Sequence, residues 1–208
     1  MRLVSTVFQD FHPFIDLPVI TDTHFTNNPE ELAEGDMLVV HGGADISPSL
    51  YNKKVSKKTG AGEIPSRRDT IEWSMIQEAI LKNIPIVGIC RGGQMLTAAA
   101  GGYLIQHVDG HIMGYHDIQT KDGGVLQVNS IHHQMMMPDK AEHELLAWSR
   151  QKRSSVYWDE NNTVNVDVEP EYIYYPGIRG FAIQWHPEMM DGFHPTTKWV
   201  FKTIMERL

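Results

Sequence analysis

Short apolar runs and helix-spaced apolar positions alternate along the first half of the chain. Three runs are rich in Val, Ile and Leu: MRLVSTVF (1–8), DMLVVHGG (36–43) and IPIVGIC (84–90). Such residues favour strands, and a continuous apolar run suits a strand that is buried on both faces of a parallel sheet. We therefore expect a strand in each of the three runs.

Between the second and third runs the apolar pattern becomes helical. Apolar residues recur one, three or four positions apart, at Ile71, Met75, Ile76, Ala79 and Ile80. Asp69 and Glu72 resemble a capping box at the start of this helix, and Pro85 follows its end. A second helix, GQMLTAAAGG (93–102), ends at glycines. Alternating strands and helices predict an α/β fold, a three-layer open and mostly parallel sheet with helices on both faces.

The second half of the chain has a different pattern. HDIQT (116–120), the turn KDGG and VLQVNS (125–130) predict an antiparallel hairpin that extends the edge of the sheet. AEHELLAWS (141–149) predicts a short helix, and PTTKWVFKTIMERL (195–208) predicts a longer one that covers a sheet face. Further strands are expected at SSVYW (154–158), TVNVDV (163–168) and FAIQW (181–185).

Composition limits the classes of protein. The chain has 208 residues, of which 41% are hydrophobic, and no repeat or linker divides it, so we expect one domain, 1–208. A net charge of -8 argues against nucleic acid or an anionic membrane as the main partner. A single cysteine, with no signal-peptide pattern and no membrane-length apolar run, favours a soluble, cytoplasmic protein.

That single cysteine, Cys90, lies between a predicted strand and a predicted helix. A sharp turn there projects the side chain above the carboxyl edge of the sheet, and Gly88 and Gly92 provide the space that such a turn needs. The helix N-terminus stabilises a thiolate. We therefore prefer a nucleophile at Cys90 to a buried structural cysteine.

A candidate proton shuttle for such a nucleophile occurs near the end of the chain. In FAIQWHPE, His186 and Glu188 are two residues apart, and in an extended segment they face the same side. A histidine that moves protons and a carboxylate that orients it are the partners that an attacking thiolate requires.

These motifs, in this order, resemble the class I glutamine amidotransferase superfamily, which has a flavodoxin-like sheet. The resemblance rests on HGGAD (41–45), GICRGGQ (88–94) and HPE (186–188) and covers nearly the whole chain. GGADISPSLY, RRDTIE, VNSIHHQ and IQWHPE further resemble the gamma-glutamyl-gamma-aminobutyrate hydrolase type of peptidase C26.

The resemblance implies a role for individual residues. Cys90 attacks the side-chain amide of glutamine or of a gamma-glutamyl amide, His186 transfers protons, and Glu188 orients His186. The oxyanion hole is implied to consist of the N–H of Arg91 and that of Gly42 or Gly43, each typically worth about 3 kcal/mol.

The resemblance also implies a substrate pocket. Its residues are Gln94 and, from VNSIHHQ, Ser130, His132, His133 and Gln134. His133 stands where relatives often have a small residue, which leaves the pocket size open. Eleven histidines raise the question of a metal, with His107, His111 and His116, or His132 and His133, as ligands. Because no HExxH or paired-cysteine spacing supports such a site, no metal or cofactor is expected.

Several functions remain open at this point. The chain is expected to be a stand-alone gamma-glutamyl hydrolase with a small-molecule substrate, or else a glutaminase subunit that passes ammonia to a synthetase partner chain. A binding module that has lost catalysis, and another elbow-cysteine family, are the remaining hypotheses. The sequence leaves a homodimer open as well.

Overall fold

A computed structural model describes residues 1–7 and 13–208 of the chain. Three α-helices lie in this described part, at α1 Arg67–Leu81, α2 Arg91–Ala99 and α3 Pro195–Met205. The first seven strands are β1 Arg2–Ser5, β2 Asp22–Phe25, β3 Asp36–Val40, β4 Ile86–Ile89, β5 Tyr103–Ile105, β6 His107–Val108 and β7 Tyr115–Thr120. The others are β8 Val125–Asn129, β9 Met135–Met137, β10 Glu144–Ser149, β11 Tyr157–Asp159, β12 Asn162–Thr163, β13 Pro170–Tyr175 and β14 Gly180–Ile183. Short 3-10 helices occur at Phe14–Asp16, Pro29–Glu31, Pro48–Tyr51, Pro176–Ile178 and Pro187–Met189.

The described residues form one large sheet of nine strands in the order β2-β1-β3-β4-β14-β13-β10-β7-β8. Neighbours from β2 through β14 are parallel, and those from β14 to β8 are antiparallel. The carboxyl ends of β4 and β14, which are adjacent and parallel, therefore lie at the same edge of the sheet.

Side chains of the central strands alternate between two buried faces. Met37 and Val39 of β3 join a core that α3 covers through Val200 and Ile204. Leu38 and Val40 join the opposite core, which α1 and α2 cover through side chains that include Met75, Ile76, Met95 and Leu96. The three-layer, mixed and mostly parallel α/β fold with helices on both faces is confirmed.

Most of the predicted elements are present at nearly the predicted positions. The first three strands, α1, α2, the β7–β8 hairpin and α3 all form, although the first strand ends at Ser5. Phe8, the last residue of the predicted first strand, lies outside the described residues. The capping box was predicted one turn too late: Ser66 is the N-cap, and it exchanges hydrogen bonds with Asp69.

The predicted helix at AEHELLAWS is wrong, because residues 144–149 form β10. Ala, Leu and Glu favour helices, but this segment lies between β13 and β7 and pairs with both. Leu145 packs against one core and Leu146 lies in the other, which is strand periodicity. Tertiary pairing has therefore overridden local propensity.

Two further differences concern the segment before β14. Only Asn162–Thr163 is a strand where TVNVDV was expected to be one, and Val168 is exposed. The following segment, Pro170–Tyr175, forms β13, which had not been predicted. None of the helices in the described ranges is long and apolar enough to cross a lipid bilayer.

Candidate active site

The chain turns sharply at Cys90, between the end of β4 and the start of α2. Cys90 has φ 50° and ψ -108°, a strained conformation for a residue with a side chain, which typically costs about 1–3 kcal/mol. Its N–H donates to the carbonyl oxygen of Ile183 at 2.7 Å, and its own carbonyl accepts from Gln94 N–H at 2.9 Å. Neighbouring backbone therefore holds the turn from both sides, as the strand-turn-helix prediction requires.

Glycines make this turn possible because backbone passes very close to them. A Cβ on Gly92 would lie 1.9 Å from the carbonyl oxygen of Val40, and one on Gly88 would lie 2.4 Å from that of Gly92. A Cβ on Gly93 would lie 2.8 Å from the carbonyl oxygen of Ile183. No side chain fits at these three positions without movement of the backbone.

His186 and Glu188 follow β14 and lie at the same edge of the sheet as Cys90. His186 Nδ1 is 2.6 Å from Glu188 Oε1, which leaves Nε2 for the thiol. Burial alone would lower the pKa of His186, but hydrogen bonds to Cys90 and Glu188 and their negative charges raise it to about 10. These contacts therefore favour the protonated imidazole of His186.

Asn129, the last residue of β8, fixes the backbone of His186. Its Nδ2 donates to the carbonyl oxygen of His186 at 2.8 Å, and its Oδ1 accepts from His186 N–H at 2.9 Å. Gln184 Nε2 lies 4.0 Å from Cys90 Sγ. The sequence analysis missed both residues, although Asn129 lies directly before the predicted pocket segment.

The glycine loop after β3 packs against the histidine. A Cβ on Gly42 would lie 2.6 Å from His186 Cε1, and one on Gly43 would lie 2.3 Å from Arg68 Nη1. Arg68 Nη2 donates to the carbonyl oxygens of His41 at 3.2 Å and Gly42 at 3.0 Å. In a trans peptide the N–H points opposite to the carbonyl, so the N–H groups of Gly42 and Gly43 point away from Arg68.

The backbone and the side chain of Arg91 make different contacts. Its backbone N–H is in the first turn of α2, where N–H groups lack helical acceptors. Its buried guanidinium pairs with Asp69 Oδ1 at 2.5 Å and with Glu72 Oε2. Glu72 Oε1 also accepts from Arg68 Nε at 3.0 Å. Through Glu72, helix α1 thus supports both the turn at Cys90 and the glycine loop after β3. The sequence analysis did not predict this role of Glu72.

Two of the residues expected to form the pocket, Gln94 and His132, contact the same carbonyl oxygen. Gln94 Nε2 donates to the carbonyl oxygen of Gln134 at 3.2 Å, and His132 Nδ1 lies 2.8 Å from the same atom. Ser130 Oγ donates to the carbonyl oxygen of His111 at 3.0 Å. Burial lowers the pKa of His132 to about 3, so its imidazole is neutral. These side chains hold the loop in shape.

Four of the histidines considered as metal ligands form two separate groups. His133, which is half-buried, lies 2.9 Å from Asp45 Oδ1 and 3.3 Å from His107 Nδ1. The hydrogen bond to Asp45 raises the pKa of His133. His111 and His116 belong to a different, buried group with Glu171.

The fold is that of class I glutamine amidotransferases. PurLQS from Thermotoga maritima superimposes with a TM-score of 0.65 over 99% of this chain and 97% of that chain, at 15% identity. Residues 15–188 match the family model of peptidase C26, and the chain belongs to that family.

Two relatives place the chain further within this group. It is 31% identical over 203 residues to the glutamine amidotransferase-like protein YvdE of Lactococcus lactis, covering 88% of this chain and 77% of that protein. It is 32% identical over 119 residues to the carbamoyl phosphate synthase small chain of Xanthomonas campestris, covering 57% of this chain and 28% of that protein. The chain is therefore glutamine amidotransferase-like.

Proposed function

We propose that this protein hydrolyses a gamma-glutamyl amide through a gamma-glutamyl thioester on Cys90 and releases glutamate. The observation that supports this most strongly is the arrangement of Cys90, His186 and Glu188 at one edge of the sheet, with Glu188 2.6 Å from His186 Nδ1. A strained cysteine at a helix N-terminus, beside an imidazolium, is an activated nucleophile.

The reaction has two halves. The thiolate of Cys90 attacks the gamma-carbonyl carbon, the C–N bond breaks, and His186 donates its proton to the departing amine. Water then attacks the thioester carbonyl while His186 takes a proton from it, and the C–S bond breaks to restore the thiolate. Glu188 keeps the imidazole oriented through both steps.

The negative charge on the attacked oxygen needs preorganised donors. We assign them to the N–H of Arg91 and to that of Gly42 or Gly43. The hydrogen bonds from Arg68 to the carbonyl oxygens of His41 and Gly42 support this assignment, because they orient the loop amides away from Arg68. The ion pair of Arg91 with Asp69 fixes the start of α2 in the same way.

The amino-acid end of the substrate is assigned to the loop after β8 and to Gln94. Ser130, His132, His133 and Gln134 come from this loop, and mainly its backbone groups are available, since their side chains already have partners. His133, with Asp45 beside it, is the residue that sets the size of the entrance. A single free thiol is compatible with a reducing compartment such as the cytoplasm.

A second candidate function uses the same chemistry on glutamine. In it, the chain is a glutaminase subunit that delivers ammonia to a separate synthetase chain. The similarity to the carbamoyl phosphate synthase small chain and the shared fold with PurLQS favour this alternative. A non-catalytic binding module is less compatible with the sequence, because Cys90, His186 and Glu188 are all present.

Glutamate release by the purified protein alone separates these functions. The panel contains glutamine and several gamma-glutamyl amides, with Cys90→Ala as the control. Turnover of a gamma-glutamyl amide in preference to glutamine, lost in Cys90→Ala, is the expected result. If nothing turns over while a glutamine-analogue alkylator still modifies Cys90, the subunit function is supported instead. If the protein shows neither turnover nor alkylation of Cys90, the non-catalytic binding module is supported.

A further inference from the structure

A group of buried ionisable side chains lies behind the loop after β8 and takes no part in the proposed reaction. His111 comes from the segment before β7, His116 from β7 and Glu171 from β13. One potential ligand atom from each lies within 4.8 Å of the others, and all three residues are buried. Three residues from separate segments of the chain therefore bring their nitrogen and oxygen atoms into one small volume.

The distances within this group suit coordination of a cation. His111 Nδ1 is 3.5 Å and His116 Nε2 is 2.9 Å from Glu171 Oε1. Ligands of a tetrahedral ion with bonds of about 2.0–2.1 Å lie about 3.4 Å apart, within that span. The 2.9 Å distance between His116 and Glu171 also fits a hydrogen bond. Other features of the group therefore have to distinguish coordination of a cation from a hydrogen bond.

Carboxylate oxygens lie on both sides of His111. Glu169 Oε2 is 3.2 Å from His111 Nε2, and Glu171 Oε1 is 3.5 Å from His111 Nδ1. Among the described residues, His111 Nε2 has no hydrogen-bond partner, and Nδ1 lies 3.2 Å from Ser130 Oγ. The hydroxyl of Ser130 donates to the carbonyl oxygen of His111. The two carboxylates therefore favour a positive charge at this position.

Glu169 has the position of an outer carboxylate in a metal site. A metal-binding histidine usually donates its second ring N–H to a carboxylate, which orients the ring. Glu169 is held in turn by the N–H groups of Ser154 at 2.9 Å and Arg153 at 3.0 Å and by the hydroxyl of Tyr157 at 2.8 Å. Glu169 is thus fixed beside His111 Nε2, at 3.2 Å.

Buried atoms in the same group have unused coordination capacity. Within the described part of the chain, four atoms of this group have no hydrogen-bond partner: Glu171 Oε2, His111 Nε2, His116 Nδ1 and His132 Nε2. The ring of His132 lies 4.6 Å from that of His111, which makes it a candidate for a further ligand. Because a buried polar atom without a partner is costly, these atoms indicate a missing ligand.

We propose that His111 Nδ1, His116 Nε2 and Glu171 Oε1 bind one divalent cation of the zinc class. Imidazole nitrogens favour zinc and similar transition metals over magnesium and calcium, which prefer oxygen. His116 also lines a surface cleft with Tyr115 and Arg153. This proposal differs from the expectation of no metal, which rested on the lack of a short sequence motif.

The role of this cation is structural. The hydroxyl of Ser130 and the N–H of His132 both donate to the carbonyl oxygen of His111, at 3.0 and 2.9 Å. A cation held by His111 and His116 therefore fixes the start of the loop that is assigned to the substrate. It does not replace Cys90 in the proposed chemistry, because none of its three ligands belongs to the group of Cys90, His186 and Glu188.

The test uses the tag-free full chain, stripped with a chelator and titrated with Zn²⁺ and, separately, Co²⁺. Metal content is measured after desalting, the visible spectrum of the Co²⁺ form reports nitrogen and oxygen coordination, and Tm is followed with Zn²⁺. The variants are Glu171→Gln and His116→Gln, and the matched control is His143→Gln, an exposed histidine outside the group.

The expected result is one equivalent of metal in the wild type and in His143→Gln, and less than about one fifth of an equivalent in the two cluster variants. At a Zn²⁺ concentration of 100 times Kd, the wild-type Tm should rise by about 5 to 10 °C. Equal metal content in all four proteins, or no stoichiometric binding by the wild type, would overturn the proposal. An absence of stoichiometric binding by the wild type overturns the proposal even if the cluster variants do not fold.

Discussion

A Cβ placed on Gly42 lies 2.6 Å from Cε1 of His186, so the glycine loop and the histidine are in direct contact. In Gly42→Ala, either the imidazole or the loop has to move, and both are parts of the proposed machinery. We expect kcat/KM to fall by about 100-fold, in line with the sensitivity of catalysis to misplacement by about 1 Å. Steady-state kinetics on the preferred substrate of the panel measures this.

Gly177→Ala is the control for that substitution, because nothing lies within 4 Å of a Cβ at Gly177. Its kcat/KM should stay within about twofold of the wild type, since no contact changes. Equal activity of Gly42→Ala and wild type would remove the glycine loop from the site.

Glu188→Gln tests the orientation of His186. Gln keeps the size of the side chain but removes the charge that faces Nδ1 at 2.6 Å. Loss of this partner allows the wrong tautomer and lowers kcat, by roughly 10- to 1000-fold, with a smaller change in KM. A change confined to KM would mean that Glu188 acts on substrate binding instead.

The raised pKa of His186 predicts a pH-dependent contribution to stability. Burial opposes protonation, but the hydrogen bonds to Cys90 and Glu188 raise the pKa to about 10 from an unfolded value near 6.5. Because the folded pKa is the higher one, the contribution is fully present below pH 6.5 and is lost as pH rises through about 10. The wild type should therefore exceed His186→Gln in unfolding free energy most at low pH.

Urea denaturation of both proteins at pH 6, 8 and 10.5 measures this difference directly. Comparing the two proteins at each pH cancels the titration of groups that they share. A difference that grows with pH would contradict the assigned imidazolium.

Glu72 is expected to matter for stability as well as for the site. It is fully buried and accepts from Arg91 and from Arg68, so Glu72→Gln leaves buried positive charge with Asp69 as the remaining carboxylate. Removing one partner of a buried pair typically costs about 3 kcal/mol or more. The unfolding free energy from urea denaturation should fall by about that amount.

Glu78→Gln provides the comparison within the same helix. Glu78 pairs with Lys82 at 2.9 Å, and both side chains are about one third exposed. A surface pair of this kind contributes less than about 1 kcal/mol. If the unfolding free energy falls by a similar amount in both variants, the buried pairs of Arg91 contribute no more to stability than a surface pair does.

The parts of the site that are local in sequence were predictable. Cys90 lies at a strand-turn-helix junction whose apolar run, glycines and helix all fall between residues 84 and 102. His186 and Glu188 do meet as their close spacing predicted, but through a 3-10 helix at Pro187–Met189 and not through the extended segment that was expected. In both cases short-range geometry determines where the side chains point.

The parts that depend on distant packing were not predictable. The strand at residues 144–149 has the composition of a helix and becomes a strand only by pairing with β7 and β13. The ion pair between Glu72 and Arg91 joins helices α1 and α2. The group of His111, His116 and Glu171 joins three separate segments. No local pattern of residues encodes such contacts.

The most direct test of the account is to detect the gamma-glutamyl group on Cys90. The protein is mixed with the preferred substrate and quenched in acid at times from milliseconds to minutes, and the masses of its peptides are measured by mass spectrometry. A parallel reaction contains hydroxylamine, which intercepts the thioester. The account predicts one gamma-glutamyl group on the peptide that carries Cys90, or a gamma-glutamyl hydroxamate formed at the expense of glutamate, and neither in Cys90→Ser. Release of the amine with no such adduct and no hydroxamate would contradict it.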